Sequence, residues 1–137
     1  MITPADFLAL GTRIINKGDT GRRRNELPVF LSHFGTNPDV CADLWSLLIT
    51  SDYIIDFSVK ILPKHLFFGL HRLWCNETET RSAKFFQVDE KTFRKWSWII
   101  INATSQLSYD VVSYIFSNNY LYHTYSFLII FLDSLGE

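Results

Sequence analysis

The sequence predicts an all-α fold, a small helical domain containing a helix-turn-helix and followed by a divergent hydrophobic C-terminal tail. Three observations carry this. Hydrophobic residues make up 47% of 137 residues and charged residues 20%, enough apolar side chain for one buried core. Apolar side chains recur at helical spacing through most of the chain before the tail. Two helix-start signals, Thr3-Pro4-Ala5-Asp6 and Thr36-Asn37-Pro38-Asp39, repeat the same order of cap, proline and acid. Gly and Pro together number only ten, which excludes collagen-like and linker-like compositions.

The first helix starts at Thr3, which caps free amides, with Pro4 suited to the first turn and Asp6 near the positive dipole end. Phe7, Leu10, Ile14 and Ile15 share one side, and Gly18 stops the helix after about Lys17. Residues 18–26 hold no apolar side chain and include Arg22, Arg23 and Arg24, so they predict an exposed basic connector. Leu27 to Phe34 is a short apolar stretch ended by Gly35. Val40, Leu44, Leu47 and Leu48 with Trp45 predict a helix from Pro38 to about Ile49. Ser51 to Lys60 reads equally as a strand or a buried connector.

Pro63 opens a helix whose apolar face carries Leu66, Phe67, Leu70, Leu73 and Trp74, broken by the polar group Asn76-Glu77-Thr78-Glu79. A short helix fits Thr78 to Phe86, with Ala83 small enough for a neighbour to approach. Asp89 caps a third helix from Glu90 to about Leu107, with Phe93, Trp96, Ile100 and Thr104 facing the core. A short middle helix separated by a tight turn from a longer third one is the layout of a helix-turn-helix, here spanning about 63–107. Beyond it, Val111 to Leu132 is apolar and aromatic without clean helical periodicity. That tract approaches membrane-spanning length, but its Ser and Asn residues, His123 and nearby Asp133, with no flanking Lys or Arg, argue against a membrane helix.

Net charge is −1, which argues against a strongly basic nucleic-acid binder, but the charge is unevenly spread. Between Lys60 and Lys95 lie eight basic residues against four acidic ones, and no Lys or Arg follows Lys95. Lys91, Arg94 and Lys95 stand at i, i+3 and i+4, on one face of the third helix and roughly opposite its core stripe. That face is where a recognition helix meets double-stranded DNA, and Arg81 and Lys84 of the preceding helix would add phosphate contacts. Arg22, Arg23 and Arg24 suit a minor-groove arm or a nuclear import signal. The same charges read equally as solvated helix and loop surface.

Other chemistry is poorly represented. The six glycines are all isolated, so no phosphate loop is expected. Cys41 and Cys75 cannot build a disulfide framework or a four-thiolate site. His71 and Cys75 share a helix face at i, i+4, but no second ligand pair accompanies them, so no metal and no cofactor is expected. No secretory leader is visible, and the Asn-x-Thr sequons at Asn76 and Asn102 read as chance occurrences.

Three strings carry a family resemblance: Phe34-Gly35-Thr36-Asn37-Pro38-Asp39-Val40-Cys41-Ala42-Asp43-Leu44-Trp45, then Pro63-Lys64-His65-Leu66, then Val88-Asp89-Glu90-Lys91-Thr92-Phe93-Arg94-Lys95-Trp96-Ser97-Trp98-Ile99. Over about residues 6–107 the chain resembles the N-terminal helical region of Harbinger-type transposases and the nuclease-like proteins derived from them. The resemblance implies DNA binding and a nuclear location. It also implies a catalytic domain with an Asp-Gly-Thr motif after the helical module, and this sequence has none; its later acids are only Asp110, Asp133 and Glu137. The expectation is therefore a noncatalytic DNA-binding remnant, not an enzyme, made of a helical module at 1–107 and a divergent aromatic tail at 108–137 of out-of-frame or intron origin. The alternative is a helical protein-interaction module that binds a protein partner or a second copy through exposed aromatics.

Overall fold

A computed structural model describes residues 2–17, 26–50 and 60–118, with side chains described as far as residue 108. Arg22, Arg23 and Arg24, the ambiguous stretch 51–59 and the tail from residue 119 lie outside the described residues. Among the described residues the fold is all-α, with six helices and no strand.

Helix α1 (Pro4–Ile15) begins in a reciprocal cap: the Asp6 N–H donates to Thr3 Oγ1 at 3.2 Å, and the Thr3 N–H donates to Asp6 Oδ2 at 2.8 Å. The hydrogen bonds from Thr3 hold the Asp6 carboxyl below its usual range. The helix ends at Ile15, short of the expected Lys17, because Lys17 itself takes the left-handed turn (φ 54°) expected of Gly18. The apolar stretch after it is helix α2 (Glu26–Phe34), closed by Gly35 at φ 74°. Trp74 lies over that glycine, where a Cβ would come within 2.5 Å of its ring. That contact explains why Trp74, expected in the core, is 46% exposed: it covers backbone at the rim.

Helix α3 (Pro38–Thr50) is capped by Asn37, whose Oδ1 accepts the Val40 N–H at 2.9 Å, and it buries Val40, Cys41, Leu44, Trp45 and Leu48. Helix α4 (Pro63–Cys75) ends at Asn76 in the left-handed conformation. Helix α5 (Glu79–Phe86) is capped by Thr78, which accepts the Arg81 N–H, and closes at Gln87, also left-handed. Helix α6 (Glu90–Asn118) follows after only residues 87–89, with Asp89 Oδ1 accepting the Thr92 N–H at 2.6 Å. It does not end near Leu107. No Gly or Pro stands between Glu90 and Asn118, so nothing in the backbone stops it, and Val111 to Asn118 is helical where the sequence suggested no clean periodicity.

Helix α4 is the centre of the packing, touching all five others and α6 most extensively. Gly69 lets α6 that close, since a Cβ there would meet Ile100 Cγ2 at 2.5 Å. On its other side, Phe67 meets Phe7 of α1 edge-on at 5.9 Å and Phe30 and Phe34 of α2 at 5.7 and 4.4 Å between ring centroids. Phe68 meets Phe86 of α5 at 4.4 Å and Phe93 of α6 at 5.9 Å. The two aromatic groups flank one helix, so a single core holds α1 to α6 together.

Candidate functional site

The core stripe of α6 fixes the direction of its other face. Phe93, Trp96, Ile100 and Thr104 are all buried, and the opposite face therefore exposes Lys91, Lys95, Trp98 and Asn102, at i, i+4, i+7 and i+11. Lys91 and Lys95 have no ion-pair partner among the described residues. The Lys95 ammonium rests 5.3 Å over the Trp96 ring.

Arg94, grouped with these lysines in the sequence, is tied down. Its Nε donates to Glu79 Oε2 at 2.7 Å, and the other oxygen of that carboxylate accepts Arg72 Nη2 at 3.3 Å. Burial pushes the Glu79 carboxyl up, but the hydrogen bonds and charges of Arg94 and Arg72 outweigh it and hold the group below its usual range. Arg94 is thus a brace between α5 and α6 more than a free cation. Arg81 and Lys84 are exposed on α5 with no ion-pair partner among the described residues.

Two contributors were not singled out from the sequence. Trp98 is 44% exposed, and the guanidinium of Arg72 lies 4.6 Å from its ring centroid, supporting it from the α4 side. Its spacing from Lys91 and Lys95 was readable, but its support by Arg72 depends on how α4 packs. Lys64, exposed at the start of α4, acts together with Lys95 of α6 on His65, which brings two lysines from distant sequence positions to one side of the domain.

His65 is buried, stacked 3.7 Å from Trp96 with the rings 4° apart, and its Nδ1 accepts the Leu62 N–H at 2.9 Å. Burial, then the charges of Lys64 and Lys95, lower its pKa to about 4. His33 and His71 are also shifted down, chiefly by burial. Because these folded-state values lie below the ordinary imidazole value of 6.5, folding favours the neutral rings. The stabilisation is complete above pH 6.5 and is lost as the pH falls below it. His65 alone is expected to cost about 2 kcal/mol of stability by about pH 5. Urea unfolding at pH 7 and pH 5 checks this, and a His65→Gln variant with the same acid loss as the parent contradicts the assignment to His65.

The structure brings together His71 and Cys75, the pair spaced for metal in the sequence. His71 Nδ1 donates to the His33 carbonyl at 3.0 Å, and the Cys75 thiol donates to the same oxygen at 3.4 Å. The ring nitrogen and the thiol are thereby spent on the end of α2, and among the described residues no group of three or more His, Cys, Asp or Glu is placed to hold a metal ion. Burial pushes both Cys75 and Cys41 thiols up, away from reactive thiolates. A cleft of about 220 Å³ between the last turns of α1 and α5 is lined by Arg13, Ile14, Lys17, Phe85, Phe86 and Gln87, a set without a carboxylate, histidine, serine or cysteine. Of the two sequons, the one at Asn102 has its Thr104 buried and donating to the Ile100 carbonyl at 2.8 Å inside α6.

No helix among the described residues is long and apolar enough to cross a membrane. Comparison with protein-family models, curated proteins and solved structures found no match.

Proposed function

We propose that this chain binds double-stranded DNA in the nucleus as the noncatalytic, transposase-derived module its Harbinger resemblance implies, with α4 to α6 acting as a helix-turn-helix and α6 as the recognition helix. The observation that carries the reading is the outward face of α6, where Lys91 and Lys95 stand exposed with no ion-pair partner among the described residues; Arg81 and Lys84 of α5 are exposed as well. Exposed lysines without an ion-pair partner neutralise phosphates and release counterions at little desolvation cost. The three-residue turn at 87–89 supports the same reading, since it suits the tight connection such a motif needs. Arg94 serves indirectly, by holding α6 against α5 through Glu79.

The test is duplex binding measured over a salt series. Lys91→Ala with Lys95→Ala is expected to weaken binding about tenfold at moderate salt and to flatten the salt slope by about two phosphate equivalents. Unchanged affinity in a variant with parental circular dichroism overturns the recognition face. A second reading, a protein-interaction module, is favoured by Leu27 and Leu31, which stand one turn apart on α2 and are 46% and 37% exposed. Salt-insensitive or absent DNA binding, with a dimer in sedimentation that Leu31→Glu dissolves, decides for it.

A further inference from the structure

We infer that the α6 face selects A·T base pairs, through Trp98 packing on a thymine methyl and Asn102 pairing with an adenine. This rests on the DNA-binding reading above and names the residues that read bases, where the lysines read phosphate. Four side chains stand in one row along the exposed face: Lys91, Lys95, Trp98 and Asn102. The two at the N-terminal end are cations, which carry no base information when they meet phosphate. The two at the other end are an aromatic ring and a carboxamide, and neither binds phosphate strongly.

Trp98 is an unusual surface residue. A ring 44% exposed at the middle of a helix gives up apolar burial, yet it is not left loose. Arg72 lies over the ring at 4.6 Å, and that guanidinium is itself fixed by Glu79 Oε1 at 3.3 Å and by Ser97 Oγ at 3.2 Å. The ring is therefore held from the protein side while its remaining surface faces outward, the state that costs least entropy on binding. In the major groove the apolar group available to such a ring is the C5-methyl of thymine.

Asn102 lies one turn further along, about 6 Å down the helix axis, close to two base-pair rises. It is exposed and makes no hydrogen bond with another described side chain. A carboxamide pairs in two-point fashion with adenine N6 and N7, a pattern guanine does not offer. Ring and amide together thus match A·T pairs about two steps apart.

Competition binding with short alternating A·T duplexes tests this, comparing thymine with deoxyuridine, which lacks only the methyl, and adenine with 7-deazaadenine, which lacks N7. Each replacement is expected to weaken binding by the parent chain at least about fivefold. Trp98→Ala is expected to abolish the thymine preference alone, and Asn102→Ala the adenine preference alone, each with a parental melting temperature. Steep, salt-dependent binding that is indifferent to both replacements overturns this inference and leaves the DNA-binding reading standing. Tighter binding to single strands than to duplex also overturns it, since the ring would then be stacking on unpaired bases. No binding to any duplex sinks both.

Discussion

Phe67→Ala is expected to lower stability by about 3–5 kcal/mol, close to the whole stability of a marginal domain. Phe67 is fully buried and its ring touches Phe7, Phe30 and Phe34, so it joins α1 and α2 to α4. Truncation leaves a cavity whose walls come from three separate helices, and such walls collapse poorly because each helix is held by other contacts. At about 2–4 °C for each kcal/mol, the range for domains of about 150 residues, the melting temperature should fall by about ten degrees. Thermal and urea unfolding measure it. Phe67→Leu, which keeps most of the apolar volume, should recover much of the loss. A Phe67→Ala variant that melts with the parent would mean α1 and α2 do not dock on α4 as described.

Trp96→Ala is expected to cost a similar amount, about 3–5 kcal/mol, for a partly different reason. The Trp96 side chain is buried and covers the face of His65 at 3.7 Å, while Lys95 rests on the Trp96 ring. Removing it opens a cavity between α4 and α6 and lets water reach His65. The second effect has its own signature. With burial relieved, the His65 pKa should rise from about 4 towards its ordinary value of 6.5, which proton NMR of the ring follows directly. The variant should therefore be less stable at neutral pH but lose less of its remaining stability on acidification. A variant with normal stability and an unmoved His65 would show that Trp96 faces solvent and that the register of α6 is wrong.

The helix boundaries were legible where local chemistry sets them. Thr3 with Asp6, and Asp89, cap the helices that their positions announced, because a cap needs only its own neighbours in the chain. The core stripe Phe93, Trp96, Ile100 and Thr104 was also legible, since a helix period converts spacing into a common face. The C-terminal limit of α6 was not, because loss of amphipathic pattern does not end a helix unless a breaker stands there.

Sequence spacing alone also put Lys91, Arg94 and Lys95 on one helix face, and it does so in the folded chain. Only the tertiary structure separated them. Glu79 reaches Arg94 from another helix, fifteen positions away in the chain, and the same carboxylate gathers Arg72 from a third. An ion pair between helices depends on their relative placement, which local periodicity does not encode. For the same reason the support of Trp98 by Arg72, the cover of Gly35 by Trp74 and the meeting of Lys64 and Lys95 at His65 exist only once α4 has packed against its neighbours. The sequence by itself determined that the described residues are helical and which face of α3 and of α6 turns inward; packing decided which of the outward charges are held in ion pairs.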